Sequence, residues 1–287
     1  MENIKRILTL KRGDITVSRV FKAIWRRIKD IPEMLAWYLP LSFTLKNRQA
    51  IAQYKNIHKG KRCFLIANGP SLKRVDFSLL KDEYTIGLNR IYMLKEQNGF
   101  MPNYLTCVDM EAQLLQFFDD YNNLNIPCFY NWEIRNRFKR SDNQLFVRDK
   151  LKPNFSIDLA RQGYGTGRSV TYLAMQLAYY MGFTEVYLIG KDHSYNTTEN
   201  TGKSIKSDGK EDNHFIKGYY EPGMQWFAPD YETEEYAYKL AKIAFEKDGR
   251  IFKDATFDGK LQVFEKVDFY SLFPENKLVN HFSFKYD

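Results

Sequence analysis

Cysteine is scarce in this chain, with three in 287 residues, Cys63, Cys107 and Cys128. Each lies in a short apolar run and none forms a CxxC pair. That argues against a zinc site or a disulfide framework and fits buried thiols in a reducing cytoplasm. The apolar stretch from Leu35 to Phe43 is too short to span a bilayer. The N-terminus lacks an apolar core followed by a small-residue cleavage site, so no secretory signal is expected. There is no internal repeat and no low-complexity tract. No DxD triplet occurs, which speaks against the usual metal-bridged site for nucleotide-diphosphate sugars. The glycine-rich loop has no Walker lysine, which disfavours an ordinary P-loop.

What is present describes a globular protein. Charged residues make up 27% and aromatics 16%, too much apolar character for a disordered chain. Most of the aromatics read as core, with stacking on bases and sugars as the functional alternative. The formal net charge is +8. Residues 1–50 hold 11 Lys/Arg against 4 Asp/Glu, so nearly all of the excess belongs to an N-terminal arm. Within it Val17, Val20, Phe21, Ile24, Ile28 and Ile31 recur at helical spacing, with Trp25 among them. Arg19, Lys22, Arg26, Arg27 and Lys29 mostly take the other sides, giving a basic amphipathic helix. Trp37 and Tyr38 follow. An anionic membrane surface is the expected partner; docking on the body or on a second copy, as a homo-oligomer, is the alternative. Nucleic acid is disfavoured because the charge is carried on an apolar-faced helix.

The stretch Lys61 to Asn89 organises the rest. Cys63 to Ala67 is a continuous apolar run, the mark of a strand buried on both faces. It stops at Asn68-Gly69-Pro70-Ser71, where glycine permits close backbone approach, proline suits a first helical turn and serine can bond free amides. Tyr84 to Leu88 predicts a second strand, ending at Asn89-Arg90. Tyr104 to Val108 predicts a third, ending at Asp109. Polar residues at successive strand ends are what an open α/β sheet presents to a ligand. A helix is expected over Glu111–Tyr121 and a short strand near Cys128–Tyr130. Gln162 to Ser169 is a glycine-rich loop opening a helix, with Thr166 and Ser169 placed to cap it or to touch a phosphate. The strand Glu185 to Gly190 leads into Lys191-Asp192-His193-Ser194-Tyr195. Residues 196–230 show little regular pattern and read as a lid or a disordered loop. A helix over Thr233–Asp248, a strand at Arg250-Ile251-Phe252 and edge elements near Leu261–Phe264 and Val267–Phe269 complete the chain.

The expected fold is therefore α/β: a Rossmann-like, mostly parallel sheet with flanking helices over 55–287, preceded by a helical arm over 1–54. The lid falls at about 196–230.

The ordered blocks NGPS, GLNR, GTGRSVTYLAMQLAYYMGFTEVYLIGKDHSY, GRIFKDAT and KLQVFEKVDF resemble bacterial proteins of the "domain of unknown function 115" type. These are related to archaeal 6-hydroxymethylpterin diphosphokinase and to flagellin-modifying glycosyltransferases. The first and third blocks also look like bacterial sialyltransferases that use CMP-sialic acid. The resemblance implies a nucleotide donor. By it, Asn68, Gly69 and Asn89 contact the CMP part, Thr166, Gly167 and Ser169 form the loop at the long helix, and Tyr195 binds the donor phosphate. Pro70, Ser71, Arg90 and Asp109 complete the expected donor site. The family's catalytic histidine lies just past a lid, and His214 is the histidine of that region, although its surroundings, NHFIKGYY, depart from the family pattern.

Sugar transfer from such a donor needs a stabilised leaving phosphate, a proton acceptor and exclusion of water. His214 is the expected base, with His193 and Asp192 as the other catalytic candidates and no metal required. The expected reaction builds a bacterial surface glycan, lipopolysaccharide or capsule, on a glycan or glycolipid acceptor at the inner face of the cytoplasmic membrane. CMP-nonulosonic acid is the favoured donor. One alternative is pyrophosphate transfer from ATP, with Mg2+ on Asp109 and Asp192. Another is a non-catalytic nucleotide-binding module at the membrane surface.

Overall fold

The structure, a computed structural model, describes residues 17–139, 141–195, 197, 199, 201–210 and 212–275. Residues 1–16 of the expected arm, the side chains of Val17, Arg19, Lys22 and Arg26, and lid positions 196, 198, 200 and 211 lie outside the described residues.

The chain divides into two compact units, 1–46 and 47–287. In the first, Val17–Tyr38 is one helix with Pro32 inside it. Phe21, Ile24, Ile28, Ile31 and Leu35 are exposed along it. Their alternating steps of three and four residues place them on one face. The Lys29 ammonium lies 5.7 Å from the Trp25 ring. A turn held by Thr44 Oγ1 donating to the Ala36 carbonyl (2.6 Å) leads into the helix Ser42–Ala52. Among the described residues no helix is long and apolar enough to cross a membrane.

The second unit is built on β1 (Arg62–Ile66), β2 (Tyr84–Leu88), β3 (Tyr104–Cys107), β4 (Cys128–Asn131), β5 (Gln144–Val147) and β6 (Glu185–Ile189). A ribbon of β7 (Ser204–Lys206) and β8 (Gln225–Phe227) follows, then β9 (Ile251–Asp254) and β10 (Glu265–Lys266). The main sheet has the order β10-β9-β6-β1-β2-β3-β4-β5, and all of its pairs are parallel. Burial on both faces explains the apolar runs: Phe64, Leu65, Ile66, Leu188 and Ile189 are all fully buried. Each contributes about 1.5–3 kcal/mol through removal from water. The helix Val170–Tyr180 packs across β1, β2 and β3 and against the helix Tyr231–Lys247.

The chain runs outward from β1 to β5, then returns to lay β6 on the other flank of β1. The reversal of winding falls between β1 and β6, where loops diverge above the strand ends and an open α/β sheet binds its ligands.

Four details differ from the sequence reading. Gln144–Val147 is a fifth strand, unmarked by alternation because all four residues are buried. The helix expected over Glu111–Tyr121 is a wide turn, Met110–Leu114, followed by a short helix, Phe118–Asn122. Asp109 caps the wide turn through the Ala112 amide, and the Leu115 amide reaches back five residues to Met110. Phe117, at φ −119° and ψ 36°, then breaks the helical path. Within the region 196–230, read as a lid or a disordered loop, Ser204–Lys206 and Gln225–Phe227 pair as an antiparallel ribbon. The C-terminal edge is Glu265–Lys266, and Lys266 Nζ pairs with the fully buried Asp254 at 2.6 Å.

Candidate active site

Above the reversal point lies a cavity of about 710 Å³, within the range of small-molecule sites. Its floor is the carboxyl edge of the sheet: Asn68 after β1, Asn89 after β2, Asp109 after β3, Asn131 closing β4, Asp149 after β5 and Lys191 to Tyr195 after β6. Thr166, Arg168 and Ser169 form one side. His214, Tyr220, Trp226 and Phe227 close it from the lid segment.

The two loops at the reversal point are tied together. The Gly69 amide donates to the Gly190 carbonyl at 2.8 Å. The Ser71 amide and hydroxyl donate to the two carboxylate oxygens of Asp192 at 3.1 and 2.7 Å. Gly69 makes this approach possible, since a Cβ there would lie 1.9 Å from Asp192 Oδ2 and 2.6 Å from the Gly190 oxygen. Asp192 thus clamps one loop to the other with both oxygens. Pro70 and Ser71 belong to the turn Pro70–Arg74 and do not line the cavity.

Asn68 Nδ2 donates to the Leu88 carbonyl at 2.9 Å. Asn68 Oδ1 and Asn89 Oδ1 are buried without a protein partner, so a ligand with hydroxyl or N–H groups would complete them. Asn89, Arg168 and His193 hold positive φ values of 47°, 56° and 55°. Strain of this kind at non-glycine residues gathers where a scaffold positions functional groups. Burial raises the pKa of Asp109 above the ordinary carboxylate value, against the hydrogen bonds it accepts from the turn that follows.

His193 Nε2 lies 3.1 Å from Glu235 Oε1, and its ring meets the Tyr231 ring edge-on at 4.4 Å. Its Nδ1 is buried without a hydrogen-bond partner, 3.9 Å from Glu234 Oε2. Burial first, then the charge of Lys191, lower its pKa and favour the neutral ring. His214 stacks flat on Tyr219 at 3.8 Å and meets Tyr195 and Tyr220 edge-on at 6.0 and 5.5 Å. Tyr195 in turn stacks on Trp226 at 5.8 Å.

Ten of the fourteen site residues read from the sequence therefore line one cavity: Asn68, Gly69, Asn89, Asp109, Thr166, Ser169, Asp192, His193, Tyr195 and His214. Pro70, Ser71, Arg90 and Gly167 do not. The Arg90 guanidinium donates to the Tyr219 carbonyl and lies 3.6 Å from the Phe117 ring centre, which ties the segment around Tyr219 to the sheet. Gly167 lets the loop pack against the helix Tyr231–Lys247, since a Cβ there would meet Ala237 at 2.6 Å. The sequence reading missed Asn131, Asp149, Lys191 and Glu234. Asn131 and Lys191 carry the same signal as the others, a polar residue at a strand's carboxyl end. Glu234 reads only as an acid in a first helical turn.

A family model described as 6-hydroxymethylpterin diphosphokinase MptE-like matches residues 41–198. The fold is similar to that of the MAf glycosyltransferase from Magnetospirillum magneticum AMB-1, with a TM-score of 0.49 and 14% identity over 79% of this chain; the match spans 39% of that protein. It is also similar to a mammalian sialyltransferase, with a TM-score of 0.31 and 10% identity over 75% of this chain and 79% of the other. No curated protein matches the sequence.

Proposed function

This chain belongs to the 6-hydroxymethylpterin diphosphokinase MptE-like family, and from that premise we propose that it is a transferase acting on a nucleotide-activated donor. The favoured donor is a CMP-linked nonulosonic acid, and the acceptor is a glycan or glycolipid of the bacterial surface. In this reading the nucleotide lies across Asn68, Gly69 and Asn89. An acceptor oxygen bonds to the anomeric carbon as the bond from that carbon to the phosphate oxygen breaks. The electron pair leaves with CMP, and His214 takes the acceptor proton. His193 is the second candidate for that proton. Asp192 positions the Gly69 loop, because both of its oxygens are already engaged by Ser71.

Metal dependence separates the two candidate reactions. The family description favours pyrophosphate transfer from ATP, which needs Mg2+ held by carboxylates. Asp109 and Asp192 would have to supply them; Asp192 accepts one hydrogen bond on each oxygen from Ser71 and Asp109 accepts one from the Ala112 amide, which leaves lone pairs on both carboxylates. Among the described residues no three His, Cys, Asp or Glu side chains converge as a metal set. A magnesium ion would then rest on one or two carboxylates and the phosphates of its nucleotide; the glycosyl reading, which asks for no such ion, stands first and the diphosphokinase second.

A nucleotide panel by thermal shift, with and without magnesium, tests this. A ligand that binds only the folded chain raises its melting temperature. Stabilisation by CMP without metal supports the proposal, stabilisation only by Mg-ATP supports the diphosphokinase, and no response to any nucleotide overturns both. His214→Ala should abolish turnover and leave CMP binding intact; surviving turnover moves the role to His193. The exposed apolar face and basic charge of the arm support work at the cytoplasmic face of an anionic membrane. A version starting at Asn47, the first residue of the second unit, should lose salt-sensitive binding to anionic vesicles, and equal binding by both versions would remove the membrane from the proposal.

A further inference from the structure

The donor site described above does not use the buried cation in its wall. Lys191 follows β6, lines the cavity and is only 9% exposed. Arg168, the other lysine or arginine lining the cavity among the described residues, has a side chain that is 60% exposed. An ammonium carries three donors. Among the described residues Lys191 Nζ has one hydrogen-bond acceptor, Glu234 Oε2 at 2.8 Å. Buried donors are normally satisfied, by protein, water or ligand.

The neighbouring hydrogen bonds have a fixed direction. Glu234, paired with Lys191, can only accept. Tyr238 OH lies 3.3 Å from Glu234 Oε2 and must donate to it. Ser169 Oγ lies 2.8 Å from the same tyrosine oxygen, and with the tyrosine proton already committed, Ser169 donates its own. The serine hydroxyl then shows only lone pairs to the cavity and cannot hold an anion. Besides the exposed Arg168 and the hydroxyls of Thr166 and Thr171, the donors on this side are Lys191 and the first-turn amides of the helix Val170–Tyr180, whose Val170 and Thr171 line the same cavity. That helix end is electropositive.

We propose that Lys191 is the anion-binding residue of this site, holding a phosphate oxygen between β6 and the first turn of the helix Val170–Tyr180, with Glu234 as the residue that positions it. The proposal rests on the nucleotide reading and names the group that receives the donor's phosphate. Burial works against the lysine's charge, but Glu234, Tyr238 and Tyr195 outweigh it and keep its pKa above the ordinary lysine value.

Replacing Lys191 alone strands a buried carboxylate and endangers folding, so the test uses Lys191→Met combined with Glu234→Gln, and Glu234→Gln alone. Cytidine, CMP and inorganic pyrophosphate are titrated against each protein by calorimetry, with melting curves to confirm folding. The wild type should bind CMP about tenfold to a hundredfold more tightly than cytidine, the worth of a charge-assisted hydrogen bond. The double variant should lose that preference and keep its affinity for cytidine. Glu234→Gln alone removes the partner that holds Lys191 in place and keeps it charged, so it should lose part of the CMP preference, regain it as pH falls, and keep its affinity for cytidine. A merely structural ion pair predicts the opposite: an unchanged preference for CMP over cytidine in both folded variants. Equal wild-type affinity for CMP and cytidine also overturns the proposal. If neither nucleoside nor nucleotide binds, the nucleotide reading falls, and pyrophosphate decides the rest. Pyrophosphate binding by the wild type but not the double variant keeps the anion site, and any other pattern overturns it.

Discussion

Along the sheet edge, cavity residues are fixed by hydrogen bonds to backbone: Asn68 to Leu88, Asp109 to Ala112, Asn131 to Glu133, and Asp192 to Ser71 through both its amide and hydroxyl. On the opposite side His214, Tyr220 and Trp226 line the cavity, stacked with Tyr195 from the sheet edge and backed by Tyr219. Three of the lid's ties to the body are the Arg90 guanidinium, the Phe215 amide on the Asn68 carbonyl (2.9 Å) and Gln116 against Gln225. Directional bonds to a buried sheet fix atoms to a fraction of an ångström. Ring stacks on a loop tolerate sliding and come from the low-stability end of a structure. On the proposed function, the sheet wall would recognise the ligand and the opposite wall would admit it and exclude water behind it.

The largest expected effect is a break in the sheet wall. Gly69→Ala drives a methyl into Asp192 Oδ2 and the Gly190 oxygen. Both partners are backbone or backbone-held, so neither yields cheaply. Overpacking and the loss of the Ser71 bonds together should cost about 3 kcal/mol, about 6–12 °C in melting temperature for a chain of this size. The response to nucleotide should disappear with it. An unchanged melting temperature with intact nucleotide binding would show that the clamp does not shape the site.

A smaller, local effect should follow from loosening the lid. Arg90→Met removes the bond to the Tyr219 carbonyl and the contact with Phe117, about 2 kcal/mol in all. Amide exchange over residues 204–227 should quicken roughly thirtyfold by that measure, while β1 to β6 hold their protection. Equal quickening in the sheet would mean that lid and sheet open as one unit and that the contrast between the walls is false.

The contrast also explains what could be read in the sequence. Strands β1, β2, β3 and β6 announced themselves, because burial on both faces writes an apolar run and a ligand edge writes a polar stop. Asn68, Asn89, Asp109 and Asp192 were legible for that reason. Arg90 was not legible as a lid anchor, since nothing local ties it to Tyr219, 129 residues away. β5 has no polar face to mark it, and the ribbon of β7 and β8 is three residues a side, too short to show a period. The roles of Lys191, Glu234 and Tyr238 rest on a contact between a strand end and a helix about 43 residues apart in the chain, and on the order of protons along it. Neither leaves a periodic trace.

The smallest expected effect concerns a charge on the sheet wall. Burial raises the Asp109 pKa, outweighing the amide bonds that favour its carboxylate. A carboxyl group with a raised folded pKa binds protons more tightly in the native chain than in the unfolded one. Between the ordinary carboxylate value and the raised one, native protein holds more protons, so stability falls as pH rises through that window. Above it the full cost of the buried charge is present, and below it the cost vanishes. Asp109→Asn keeps the Oδ1 acceptor for the Ala112 amide at 2.8 Å and removes the charge. Melting temperatures measured from acid to neutral pH should therefore separate upward through the window, with the variant higher at neutral pH by a few degrees at most. A variant that melts lower at neutral pH would mean that the carboxylate is stabilised by its surroundings, and Asp109 would then belong with the firmly satisfied groups of the sheet wall, alongside Asp192.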